Sequence, residues 1–297
     1  MHSIKIKAMA KVNLGLDVLR RRENGYHDVK MVMQTVNLYD TLTITKRNDT
    51  QIVITTNAGE LPLSEDNLIY KAAKLLFEEA GKECGVSIHL DKQIPIAAGM
   101  AGGSTDAAAT LLGVNAIFKF GFSKEKLAEI GVRIGADVPY CIYGGTYLSE
   151  GIGEVLTKLP DAPECYVVIA KPGIGVSTKY VYENLHIETV SHHPDVDGMI
   201  EAIKEGSLDG VTAKMANVLE TVTVKRYPEI ARMKECMEEN GAEKALMSGS
   251  GPTVFGIFKE EKTAKTALDK LNDTGLVKQG FVTTFAKETG IMEEEDF

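Results

Sequence analysis

The chain has no tryptophan, and only four cysteines stand among its 297 residues. Cys84, Cys141, Cys165 and Cys236 lie far apart and form no C-x-x-C, which argues against a zinc site or a disulfide framework and for reduced thiols in a cytoplasm. No apolar run approaches the ~20 residues of a membrane span, and the opening MHSIKIKAMAK lacks the unbroken apolar core of a signal peptide. Positive charge is also scarce. Lys and Arg number 33 against 42 Asp and Glu, a net charge of −9 that gives the chain no general pull toward nucleic acid. Two nucleotide fingerprints are missing as well. There is no G-x-x-x-x-G-K-[ST], and Gly249-x-Gly251 is followed by Val254 where a G-x-G-x-x-G would need its third glycine. No internal repeat is visible. Hydrophobic residues make up 44% and charged residues 25%, the balance of an ordinary globular protein with room for one large or two medium domains.

Against these absences stands one unusual stretch, IPIAAGMAGGSTDAAA from Ile94 to Ala109. Gly99, Gly102 and Gly103 lead into Ser104, Thr105, Asp106 and then a run of good helix formers. A glycine loop that empties into a helix N-terminus can hold an anion, because the first helical amides lack internal partners, the dipole is positive there, and glycine leaves the backbone bare. The same residues also suit a plain turn and N-cap, so this stretch alone leaves both readings open.

Period-two alternation of Ile4, Ile6 and Ala8, and again of Val12, Leu14, Leu16 and Val18, predicts opening strands, with Lys11 and Asn13 together on the polar face. Asn24-Gly25 predicts a hairpin turn. Further strands are expected at Met31–Val36, Leu42–Thr45, 51–55 and 86–90. The first clear helix runs from Asn67 to Ala80, capped by Asp66 or Ser64 and ended by Gly81. Ser123 is expected to cap a helix reaching Ile130. Asp137, in Gly135-Ala136-Asp137-Val138-Pro139, reads on local grounds as a cap or turn former. Pro160 and Pro163 suggest a boundary that divides the chain into residues 1–157 and 158–297. Beyond it come a strand at 166–170, helices at 195–205, 229–240 and 262–271, and strands at 245–247, 254–258 and 281–285. The acidic tail Glu293 to Asp296 reads as a solvated end. Strands and helices alternate without a regular parallel rhythm, so the fold class is α+β, in two layers in each half.

Three motifs occur in order: Ala10-Lys11-Val12-Asn13-Leu14, the loop from Pro95 to Ala109, and Ser248-Gly249-Ser250-Gly251-Pro252-Thr253. Together they resemble the three motifs of the GHMP small-molecule kinases, and the resemblance spans nearly the whole chain. It implies an N-terminal domain like ribosomal protein S5 domain 2 and a ferredoxin-like C-terminal domain. It also implies ATP as phosphate donor, with Mg²⁺ carried as the nucleotide complex. The segments Asn24-Gly25-Tyr26-His27, Glu65-Asp66-Asn67-Leu68 and Gly135 to Pro139 are similar to the branch of the family whose acceptor is a small cytidine-diphosphate-linked sugar alcohol.

The resemblance assigns roles residue by residue. Asp137 would take the proton from the acceptor hydroxyl, and Lys11 would orient Asp137 and stabilise developing charge. Pro95, Ile96, Ala97, Ala98, Gly99, Met100, Ala101, Gly102, Gly103, Ser104 and Thr105 would wrap the ATP phosphates, and Asn67 would contact adenine. Asn13 would hold the acceptor near its reacting hydroxyl. Tyr26 would stack on cytosine, His27 would pair with its edge, and Tyr182 would add a second wall. Ser248, Gly249, Ser250 and Gly251 would face acceptor and phosphates. No carboxylate is assigned to a metal. Ala101 departs from the family pattern, which has glycine there, and would be strained if the backbone needed a positive φ. Other acceptors of the family, such as homoserine, mevalonate or a sugar, are the first alternative, and Tyr26-His27 speaks against them. A ligand-binding protein that has lost catalysis is the second; intact Lys11 and Asp137 speak against it.

Overall fold

The structure, a computed structural model, describes residues 2–287 and the backbone of residues 291–295. The chain opens with two long strands, β1 (Ser3–Arg21) and β2 (His27–Arg47), followed by β3 (Ile52–Thr56), α1 (Leu68–Ala80), β4 (Gly85–Asp91) and α2 (Gly102–Phe118). Next come α3 (Lys124–Val132), α4 (Val138–Tyr143) and the hairpin β5 (Thr146–Gly151) and β6 (Val155–Lys158). The second half holds β7 (Tyr166–Pro172), α5 (Thr178–Glu183), α6 (Val196–Lys204), α7 (Leu208–Thr212), α8 (Glu220–Arg226) and α9 (Glu229–Glu239). It ends with β8 (Lys244–Met247), β9 (Val254–Phe258), α10 (Glu261–Asp273), β10 (Val277–Thr284) and β11 (Ile291–Glu295).

Two sheets organise these elements. A seven-stranded sheet runs β11-β1-β2-β4-β3, with β5 on β2 and β6 on β5; a four-stranded sheet runs β10-β7-β9-β8. Both are antiparallel except for the β3–β4 pair. The expected break within β2 is absent: Met31–Val36 and Leu42–Thr45 belong to one strand. In the acidic tail the backbone of Glu293, Glu294 and Glu295 lies in β11, antiparallel to β1, while Asp296 falls outside the described residues. The last strand of the chain therefore returns to the first sheet, and the expected division at 157/158 falls inside β6.

β1 is where the two halves meet. Its register against β2 shifts between Met9 and Lys11, between Asn13 and Gly15, and between Val18 and Arg20. Such irregularities re-aim side chains and are frequent beside active sites. Ala10, Val12 and Leu14 face a core shared with Met199, Ile200 and Ile203 of α6 and with Val167, Ile169, Phe255 and Ile257 of the second sheet. Ile4, Ile6, Leu16 and Val18 join a separate core with α1 and α2. The alternation expected to run from Val12 to Val18 is interrupted by the register shift between Asn13 and Gly15, which sends Val12 and Leu14 to one core and Leu16 and Val18 to the other. The face opposite Val12 and Leu14 is not solvated: Lys11 is 4% exposed and Asn13 fully buried. Burying a lysine is costly unless it is paired, so that face must hold its partners.

The local signals at helix ends are mostly as expected. Ser123 Oγ accepts from Lys126 N at 3.2 Å, and Gly81 ends α1 with φ +60°. The α1 cap is Asn67 rather than Asp66 or Ser64, its Oδ1 accepting from Ile69 N at 2.9 Å. The Asn24-Gly25 turn connects β1 and β2, with Gly25 N donating to Arg22 O at 3.0 Å. None of the four cysteines forms a disulfide.

Candidate active site

A cavity of about 1100 Å³ opens between the two halves, and the glycine loop forms one of its walls. Every residue from Pro95 to Ser104 lines it. Ala97, Gly99 and Ala101 adopt φ of +51°, +72° and +58°. Left-handed residues in alternation are the backbone pattern of a main-chain anion nest, and α2 begins at its end with Gly102. The residue preceding α2, Ala101, makes no side-chain cap bond, so the leading amides of α2 have no side-chain acceptor there. An anion would be such an acceptor. Ala101 therefore does occupy the left-handed region in which glycine is favoured. Thr105 departs from expectation: its side chain is buried and off the cavity wall, so only Ser104 offers a hydroxyl there. Asp106 is not a cap either; it lies within α2, 3% exposed.

Under the loop lies a charge cluster that motif reading passed over. Lys92 Nζ donates to Asp40 Oδ2 at 2.5 Å and to Asp106 Oδ2 at 2.7 Å. Asp40 Oδ1 accepts the amides of Gln93 at 2.6 Å and Ile94 at 2.7 Å. The cluster thus ties β2, the entry to the glycine loop and the second turn of α2 to one point. Burial pushes the Asp106 carboxyl well above its ordinary value while Lys92 pulls it down, and its Oδ1 has no hydrogen-bond partner. The only signal in the sequence was a Lys three residues before the loop's proline.

The second glycine loop packs against the first. Ser248 Oγ donates to Gly99 O at 3.0 Å, and a Cβ on Gly99 would stand 2.2 Å from Ser248 O. Asn217, also absent from the expected set, holds this loop with two bonds of 2.8 Å, to Met247 O and Gly249 O. Gly249 and Ser250 line the cavity; Ser248 and Gly251 do not. Ser250 Oγ is 2.8 Å from Thr178 Oγ1 at the start of α5, which links this loop to the element that carries Tyr182.

Lys11 and Asp137 meet in the cavity. Lys11 Nζ donates to Asn13 Oδ1 at 2.7 Å and to Gly99 O at 3.2 Å, and stands 4.0 Å from Asp137 Oδ2. Asp137 precedes α4 but its carboxylate makes no cap bond, contrary to the local reading, and its side chain is one-third exposed to the cavity. A carboxylate at a helix start that leaves the cap unmade is free for other work.

At the other end of the cavity stand Tyr26, 59% exposed, and His27, buried, whose ring lies 5.2 Å from that of Tyr182. Burial, and then the charge of Arg21, hold the His27 imidazole below its ordinary value. Asn67 lines the wall too, with Oδ1 committed to its cap and Nδ2 donating to Pro62 O at 2.7 Å. Among the described residues, no three His, Cys, Asp or Glu side chains converge as a metal-ligand set.

One cavity thus joins a main-chain anion cradle, a lysine–carboxylate pair and an aromatic end, which is the layout of a small-molecule kinase. The family models agree. The GHMP kinase N-terminal domain matches residues 67–145 and the GHMP kinase C-terminal domain residues 199–276. The chain belongs to the GHMP kinases. Among its relatives, a Lachnospira eligens protein named 4-diphosphocytidyl-2-C-methyl-D-erythritol kinase is 53% identical over 95% of this chain and 98% of its own length. A crystal structure of 4-(cytidine 5'-diphospho)-2C-methyl-D-erythritol kinase superposes with a TM-score of 0.81 at 32% identity, covering 95% of this chain and 99% of its own. A homoserine kinase from Cytophaga hutchinsonii superposes nearly as well, TM-score 0.80 over 98% of each chain, at 20% identity. The last match speaks for the fold alone, so the acceptor must be argued from the site and the closer relatives.

Proposed function

We propose that this chain transfers the γ-phosphoryl group of ATP to the 2-hydroxyl of 4-diphosphocytidyl-2-C-methyl-D-erythritol, in non-mevalonate isoprenoid precursor synthesis in the cytoplasm. The observation that carries this reading is the placement of Lys11 and Asp137 in the cavity that also holds the glycine cradle and the Tyr26–His27–Tyr182 end. Relatives about half identical over almost the whole chain bear the name of that kinase. Among the described residues no helix is long and apolar enough to cross a membrane.

Phosphoryl transfer asks little covalent chemistry of a protein, so positioning and charge stabilisation carry the rate. Asp137 accepts the hydroxyl proton as the acceptor oxygen bonds to the γ-phosphorus. The bond from that phosphorus to its bridging oxygen breaks, and ADP leaves. A base in hydrogen-bond reach contributes ~10²–10⁴-fold. Lys11, held by Asn13 and Gly99 and 4.0 Å from Asp137, orients that carboxylate and offers positive charge where negative charge builds. The amides from Ala97 to Ser104 take the polyphosphate, Asn67 borders the adenine, and Asn13 steadies the acceptor. Tyr26 and Tyr182 flank the cytosine, and neutral His27 reads its edge. Mg²⁺, carried in as the nucleotide complex, would be held by phosphate oxygens and water.

ATP consumption measured against a panel of acceptors tests the proposal. Turnover is expected with the diphosphocytidyl compound. Turnover with homoserine or mevalonate, and none with the cytidine compound, would overturn it.

A further inference from the structure

Three consecutive arginines stand where β1 ends: Arg20 and Arg21 are its last two residues and Arg22 follows it. Arg20 and Arg22 fall on one face, where both reach the carboxylate of Asp28: Arg20 Nε bonds Oδ2 at 2.5 Å and Arg22 Nε bonds Oδ1 at 2.6 Å. Arg21 falls on the other face. It is the direct cross-strand partner of His27, and it lines the cavity. Its charge is felt there, since it is one of the two influences that depress the His27 imidazole.

Four cations line this cavity: Lys11, Arg21, Lys92 and Lys179. Lys11 lies beside Asp137, Lys92 is bound by Asp40 and Asp106, and Lys179 stands 3.8 Å from Glu183. Among the described residues Arg21 is left without a carboxylate partner. Arg21 is exposed, so water solvates its guanidinium now, and beside the aromatic end of the cavity that guanidinium is available to an anion a ligand brings. The proposed acceptor brings one, for its cytosine is joined to the sugar alcohol through a diphosphate. A planar guanidinium also suits phosphate oxygens, which it can bind through two parallel hydrogen bonds.

We infer that Arg21 is a specificity-determining residue that binds the diphosphate of the acceptor, so that the site recognises a cytidine nucleotide rather than cytidine alone. The inference rests on the acceptor proposed above. In this arrangement His27 and the two tyrosines select the base, Arg21 selects the charged linker, and the glycine cradle is left to the ATP polyphosphate.

Calorimetric titration of the wild type and of Arg21→Gln with CDP and with cytidine separates the possibilities. Loss of one charge-assisted contact should weaken CDP about tenfold or more and leave cytidine within about twofold. In turnover, KM for the acceptor should rise by a similar factor, while kcat and KM for ATP stay within about twofold. Arg21→Lys should recover part of the CDP affinity, as a point charge without the fork. Equal weakening of CDP and cytidine would overturn the inference and place Arg21 at the base or in support of His27. Unchanged CDP affinity would overturn it as well. Failure of the wild type to bind either compound would instead sink the acceptor assignment itself.

Discussion

Gly99→Ala is the sharpest probe of how the cradle is built. Gly99 sits at φ +72°, where an alanine costs ~1–2 kcal/mol. Its new Cβ would also stand 2.2 Å from Ser248 O and 3.2 Å from Gly251 O, both backbone atoms that cannot rotate away. To restore van der Waals contact the two glycine loops must part by roughly 1 Å. That movement stretches two bonds to Gly99 O, from Ser248 Oγ at 3.0 Å and from the Lys11 ammonium at 3.2 Å. A neutral bond contributes ~0.5–1.5 kcal/mol and a charged one ~1.5–3 kcal/mol. Partial loss of both, added to the backbone strain, gives a destabilisation of about 3–5 kcal/mol. Unfolding entropy of ~2.1 cal/mol/K per residue over 297 residues is about 0.6 kcal/mol/K, so Tm should fall by about 5–8 °C. Because Gly99 O is also a contact of Lys11, the mutant should lose turnover beyond what lost stability explains, with ~10²-fold a reasonable scale for a 1 Å misplacement. Thermal unfolding and steady-state kinetics measure the two effects. A Tm within 1 °C of wild type and an unchanged kcat/KM would refute the contact between the loops.

Ala101→Gly should act in the opposite direction. It relieves a φ of +58° in a residue with a Cβ, against the greater freedom of glycine in the unfolded chain, for a net gain of ~0–1 kcal/mol; a clear fall in Tm would contradict it. Asp137→Ala should abolish turnover while nucleotide affinity, measured by calorimetry, stays within a few-fold, and surviving turnover would remove Asp137 from the role of base. The depressed pKa of His27 has a pH signature. Its folded value lies below its unfolded value near 6.5, so the unfolded chain takes up the proton first, and stability is lost as pH falls through about 6.5 and below. Melting curves between about pH 5 and 8 should show a shallower acid slope for His27→Gln than for wild type; identical slopes would mean that His27 does not supply this loss.

Motif order and strand alternation carried most of the reading because both are local. Lys11 and Asn13 share a face by simple parity, the Asn24-Gly25 turn has its own chemistry, and the glycine loop advertises itself. What stayed hidden depends on distant partners. Nothing in the period of β1 says that the face bearing Lys11 is buried; that follows from the glycine loop and Asp137 standing against it. The tail from 293 to 295 reads as solvated because its charge is visible and its partner β1 is nearly 290 residues away. Asp137 looks like a cap by its neighbours, and only the geometry shows the cap bond unmade. Ser248 and Gly251 were assigned to the ligand with their loop as a whole, whereas a tight loop must turn some residues inward. Lys92, Asp40 and Asp106 escaped because each is an ordinary residue in its own stretch.

That cluster also bears on how an acidic chain can house a polyphosphate. The net charge of −9 opposes the ligand at long range, but salt screens such interactions beyond ~10 Å. At contact distance the glycine loop offers main-chain amides and the start of α2, neither of which adds net charge. Ionised together, Lys92, Asp40 and Asp106 would place a surplus negative charge directly beneath that loop. The burial that lifts the Asp106 carboxyl opposes this, while the contact of Lys92 with Asp40 pins the loop's entry. The Asp40 carboxylate spends its other oxygen on the Gln93 and Ile94 amides, so even this anion is turned to holding the backbone in shape. In the proposed reading the cradle selects anions through the aim of its dipoles, and the acidic groups nearest to it serve that aim by fixing where the backbone runs.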